Sequence, residues 1–185
     1  MKRIFVFVFA ILAVMFMQVP LLGTAEAARV AVVPIEINDA KVARASDFTN
    51  YYWDIMIDKF RYPEYDLIDE AKMDAVIPYD GMKEFDQKTL VEICNKTDAE
   101  IVVAMRLDDV HGKVDRSNRE PRTKCYMKGL FAGYNRLTGK YYLKKINYNN
   151  EMETVLTLKT DWQQQAFAST LKRCLNQMIE GKTEK

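Results

Sequence analysis

Two stretches, "RVAVVPIEI" from Arg29 and "AEIVVAMRLDDV" over 99–110, restrict the fold more than anything else in the chain. Both are apolar at consecutive positions, so both alternating faces of a strand are dry. Strands of that kind lie inside a sheet, paired on both edges and shielded from water. Pro34 brings no N–H to a ladder, which places it at a bulge or near the strand's end.

Helical spacing and one shorter strand separate the two. Phe48, Tyr51, Tyr52, Ile55 and Phe60 recur at helical steps after Ser46 or Asp47, either of which can cap the helix. "YDLIDE" (65–70) reads as a short strand, and Asp69 can cap the helical "EAKMDAVI" after it. Asp86 can cap a further helix carrying Leu90, Ile93, Cys94 and Thr97. Strand, helix, strand, helices, strand is an order that favours parallel pairing through right-handed crossovers.

Beyond Val110 the pattern changes. "HGKVDRSNREPRTK" (111–124) is polar and reads as an exposed hairpin connection. "CYMKGLFAGYN" and "KYYLKKINYNNEM" flank "RLTG" (136–139), a second hairpin in which Gly139 is free to take a positive φ. Gly129 and Gly133 mark bulges or close backbone approaches within a strand. Thr160-x-x-Gln163 is a capping box for a last helix with Phe167, Leu171, Cys174, Leu175 and Met178 on one face. The expected fold is α/β, a mixed five-stranded sheet of order about 2-1-3-4-5. Its last strands are antiparallel and its helices lie mainly on one face. Residues 28–181 are expected to form a single domain, and 182–185 a frayed tail.

Residues 1–27 read differently. Lys2 and Arg3 precede an apolar run from Ile4 to Val19, Pro20 breaks it, and small residues follow. That is the order of a cleavable secretory signal peptide. Cleavage is expected after Ala27, which makes Ala28 the first mature residue, with a cut after Ala25 as the alternative. Gln18 and Pro20 interrupt the run and argue against a membrane anchor, and Thr24 stands where a lipoprotein signal needs cysteine. The expected location is periplasmic or secreted.

The chain holds 27 basic and 26 acidic residues, and removal of 1–27 leaves 25 of each. A neutral surface offers no footprint for nucleic acid and no polybasic membrane patch. No membrane insertion is expected after signal removal. Cys94, Cys125 and Cys174 leave two readings open: one bridge in an oxidising compartment, with Cys94 and Cys174 as a pair, or three small buried hydrophobes.

His111 is the only histidine, which argues against a histidine triad or a multi-histidine metal centre. Asp108, Asp109 and Asp115 cluster around it, but on a regular strand Asp108 and Asp109 point to opposite faces. No glycine-rich phosphate loop is present. We therefore assign no catalytic, cofactor-binding or metal-binding residue and no cofactor. The aromatic residues say more. Tyr126 and Tyr134 fall at even offsets with Lys128, and Tyr142 and Tyr148 at even offsets with Lys144. If one sheet face carries all four, it is a candidate interaction face, because tyrosine supplies large contact area at low entropic cost. The competing account is that these rings complete the core.

The layout of "RVAVVPIEIND", "YDLIDE", "DAEIVVAMRLDDV" and "GYNRLTGKYYLKK" resembles a group of envelope proteins. These include the amino-terminal domain of TolB and the periplasmic domain of the curli-transport lipoprotein CsgG. The resemblance implies an α/β domain used for contacts within the cell envelope. It does not extend to channel activity, because the connections are too short and charged to become membrane strands. The expected function is a non-enzymatic envelope interaction or assembly module with a protein partner or a second copy. A small-ligand or metal-dependent enzyme or receptor using the carboxylate cluster is one alternative, and a structural self-associating protein is another. Amino-terminal sequencing of the exported protein is expected to read Ala28-Arg29-Val30; a start at Met1 excludes cleavage.

Overall fold

The computed structural model describes residues 26–78, 81–115, 122–153 and 162–180, and at 114–115, 122–123 and 151–153 the backbone alone. Strand β1 (Ala28–Val32) lies between β3 (Tyr65–Leu67) and β4 (Ile101–Asp115) and is parallel to both. Val30 pairs with Leu67 on one side and Ile101 on the other. β5 (Arg122–Asn135) and β6 (Lys140–Glu153) follow β4 antiparallel, which gives the order β3-β1-β4-β5-β6. This is the expected order and sense once the two-residue β2 (Glu36–Ile37) is set apart.

β2 explains Pro34. It continues the line of β1 along β4, with Val32 opposite Val103 and Glu36 opposite Arg106. Four steps on one strand therefore span three on the other. Pro34 sits in that irregularity, where a missing N–H breaks no ladder bond.

Helices cover both faces unequally. The two longest among the described residues, α1 (Ala45–Lys59) and α4 (Trp162–Glu180), share one face. Phe48 and Phe167 join them edge to face, their centroids 5.3 Å apart. Beneath them lie Val30, Val32, Val103, Met105, Leu107 and Phe131. The opposite face carries α2 (Glu70–Asp74) and α3 (Gln87–Thr97), whose Met73, Leu90, Ile93 and Cys94 pack on Ala31, Val33, Val102, Ala104 and Ala132. Alternate residues of β1 and β4 thus feed two cores. The buried Tyr52 hydroxyl donates to the Val33 carbonyl at 2.8 Å, and burial pushes its pKa far above the usual phenol value.

Asp69 and Asp86 act as caps, each accepting a backbone N–H at 2.8 Å. The first helix differs from expectation. It begins at Ala45 behind Arg44, a left-handed residue with φ 58° and no side-chain cap, so Ser46 and Asp47 lie inside its first turn. The polar stretch at 111–124 also differs, because pairing continues to Asp115 opposite Arg122. Ladder bonds use the backbone alone, so polar side chains do not end a strand whose faces meet water. Thr160 of the capping box and the tail at 182–185 lie outside the described residues.

Gly129 and Gly139 do different jobs. Gly139 turns the β5–β6 hairpin with φ +67°. Gly129 lies opposite Leu107, where the β4 register slips by one residue before Asp109. A Cβ on Gly129 would collide with the Arg106 carbonyl oxygen. In urea denaturation, Gly129→Ala is expected to cost about 3 kcal/mol or abolish folding, since rigid backbone cannot yield. Gly139→Ala is expected to cost about 1 kcal/mol, the left-handed penalty alone. Equal effects would contradict the close approach.

Candidate functional site

The outer half of the antiparallel sheet, on the side of α2 and α3 but beyond their reach, presents the most distinctive surface. Three cross-strand rows run over it: Arg106–Leu130–Lys145, Asp109–Lys128–Asn147 and His111–Tyr126–Asn149. Directly opposed antiparallel residues share a face, so each row projects together.

The bulge on β4 arranges the charged residues. Asp108 is the extra residue, since Leu107 pairs with Gly129 and Asp109 with Lys128. Core residues Leu107 and Val110 lie on the α1–α4 side, which leaves Asp108 and Asp109 both directed to the other. The expectation that they face apart fails here, because the bulge suspends the alternation on which it rests.

Each carboxylate has its own hydrogen-bond partner. The Arg106 Nε donates to Asp108 Oδ1 at 2.7 Å, and the same guanidinium lies 5.4 Å above the Phe85 ring. His111 Nδ1 is 2.9 Å from Asp109 Oδ1, and its ring stacks on Tyr126 with centroids 4.9 Å apart. The Asp115 side chain lies outside the described residues. Among the described residues, no group of three His, Cys, Asp or Glu is placed to hold a metal ion. The patch is thus an open aromatic and charged surface in which Asp108 and Asp109 already have hydrogen-bond partners.

The register separates the four tyrosines. Tyr126 and Tyr134 face the α2–α3 side, and Tyr134 packs with Tyr141 at the edge of that core. Tyr142 and Tyr148 face α4: Tyr142 is buried, and Tyr148 is half-buried against the larger core. Tyr126 pairs with Asn149 and Met127 with Tyr148, so strand partners take the two tyrosine rows to opposite sides. Sequence offsets within each strand cannot reveal this; only the cross-strand register does. The sequence reading also missed Phe85, whose carbonyl accepts from the Tyr141 hydroxyl at 2.6 Å and whose ring supports Arg106. Burial, and secondarily the nearby Asp86 carboxylate, raise the Tyr141 pKa.

A second feature is a groove of about 420 Å³ between β6 and α4, lined by Lys144 to Asn150 with Thr170, Arg173 and Cys174. Cys94 and Cys174 belong to cores on opposite faces of the sheet, so they cannot bridge each other. Burial pushes the Cys94 and Cys125 thiols up to about 11 from an ordinary value of 9. Of the cleavage positions, Ala25 lies outside the described residues, while Ala27 immediately precedes β1 and Ala28 is its first residue. No helix among the described residues is long and apolar enough to cross a membrane.

No protein-family model matches the chain, and no curated protein matches it in sequence. Solved structures do. The protein CT253 of Chlamydia trachomatis is similar over 84% of this chain and 99% of its own, with a TM-score of 0.50 and 11% identity. That likeness defines the class as an α/β domain with a mixed sheet. A homologue of the neuraminyllactose-binding hemagglutinin from Helicobacter pylori covers 84% of both chains, with a TM-score of 0.45 and 14% identity. The LpoB C-terminal domain from Salmonella enterica covers 72% of this chain and 87% of its own, with a TM-score of 0.37 and 11% identity. At such scores these two add nothing to the fold. Neither TolB nor CsgG is among these structures, so that resemblance rests on sequence layout.

The buried thiols give a direct test. Iodoacetamide at pH 8 is expected to leave Cys94 and Cys125 unmodified in the native protein and to alkylate both in urea, by peptide mass spectrometry. The linkage has a definite sign: thiols raised on folding favour the native state below pH 9, and that contribution falls as pH rises toward 11. Rapid native alkylation would contradict their burial.

Proposed function

We propose that this chain is an exported, non-enzymatic cell-envelope interaction or assembly module that docks a protein partner on the open face of β4–β5–β6. One observation carries the reading: the rows around Tyr126 and His111 share a sheet face and lie outside the core that the helices form on that side among the described residues. Half-buried aromatic rings with charged and amide neighbours are the composition of protein-contact surfaces. The signal-peptide pattern of residues 1–27 supports a periplasmic or secreted location, and the TolB-like and CsgG-like layout agrees with it.

Tyr126 and Tyr134 are the proposed contacts on this face, while Tyr142 and Tyr148 serve the α4 side. A carboxylate-based enzyme or receptor is less well supported. Asp108 and Asp109 share a face, but each already has its own hydrogen-bond partner on a surface open to solvent. Catalytic carboxylates depend instead on a concave site that shifts their pKa values.

Crosslinking in the native envelope followed by mass spectrometry tests the reading. A specific partner is expected, with Tyr126→Ala or His111→Ala reducing its yield at least about tenfold. Tyr62→Ala, at an exposed residue before β3, is expected to leave it unchanged. No specific partner, or equal loss in all three variants, would sink the proposal.

A further inference from the structure

The outermost strand of the sheet points to a specific partner. β6 is 14 residues long and contains neither proline nor glycine. It pairs with β5 without a register shift and has no strand on its outer side among the described residues. Protein edges are ordinarily short, bulged or proline-bearing, because open backbone donors and acceptors recruit another strand. Among the described residues the remaining safeguard is charge, and it is distributed unevenly. Lys140, Lys144 and Lys145 occupy the first half of the strand, while Glu151 and Glu153 occupy the second.

We infer that β6 pairs antiparallel with β6 of a second copy of this chain, joining two sheets into one across a twofold axis. The charge order selects this partner and direction. A parallel copy sets lysines beside lysines, whereas an antiparallel copy sets the lysine half against the glutamate half. Twofold symmetry requires one residue to lie opposite its own copy, because opposed side chains in an antiparallel pair share a face. With Tyr148 on the axis, Leu143–Glu153 pairs with itself reversed, and Lys145 lies opposite Glu151. Centring on Ile146 or Asn147 instead sets Lys145 opposite an asparagine, and centring on Asn149 sets it opposite Glu153 over a shorter paired segment. The Tyr148 register therefore opposes Lys145 and Glu151 twice, once on each side of the axis.

The paired segment is about 35 Å long at ~3.4 Å per residue. Within one chain the backbone of Glu151 pairs with that of Lys124 on β5. The exposed Leu143 and half-buried Tyr148 become interior to the joined sheet, and the grooves lined by Lys144 to Asn150 meet along one side. This inference stands on the edge strand and is independent of export or of the partner proposed for the open face.

The test is the mass in solution of the exported protein, expressed with its own amino-terminal segment, by sedimentation at several concentrations. A dimer is expected. Lys145→Glu and Glu151→Lys each oppose like charges twice across the axis and are expected to weaken dimerisation at least about tenfold. An equimolar mixture of these two variants restores opposite charges in both pairs and is expected to give a heterodimer. Thermal melts of each variant separate lost pairing from lost folding. A wild-type monomer throughout, unchanged mass in Lys145→Glu, or no heterodimer from two folded variants would overturn the inference.

Discussion

Everything in this structure depends on the dry pairing of β1 with β4. Val30, Ala31 and Val32 lie opposite Ile101, Val102 and Val103, and all six are essentially inaccessible. Buried backbone groups must find partners, and side chains on two covered faces must find two cores. The first need makes the ladder; the second draws α1 and α4 to one side and α2 and α3 to the other. The remaining strands are added outward from this seam, with less cover at each step.

That gradient explains where surface chemistry accumulates. Near the seam small residues such as Ala31, Ala104 and Ala132 let α3 approach closely. Further along the long strands the same face is left to Arg106, His111, Tyr126 and Lys128. The change falls where β4 bulges opposite Gly129, and the absent side chain leaves room for the Arg106 carbonyl to approach. One added residue, Asp108, turns two carboxylates to the same side and alters the strand's twist.

The long hairpin strands also carry the structure past its helices. α4 lies on one side of β6, and no strand pairs with its outer edge among the described residues, so the strand presents a backbone ladder and a face at once. The two exposures have different consequences. A face recognises shape and charge, while an edge recognises another strand, and the two surfaces of this sheet can serve different partners.

Much of the architecture was legible in the residues themselves. Apolar runs at 29–37 and 99–107, the helical steps from Phe48 to Phe60, and the caps Asp69 and Asp86 determine strands, helices and order, because these signals act over a few residues. The polar stretch after Val110 was not legible as strand, since ladder bonds leave no mark on side-chain polarity. Nor could the sequence place Asp108 beside Asp109, or divide Tyr126 and Tyr134 from Tyr142 and Tyr148. Those outcomes depend on which residue of one strand opposes which of the next, and a shift of one residue reverses every face. Local chemistry determined the elements; long-range register decided the surfaces they present.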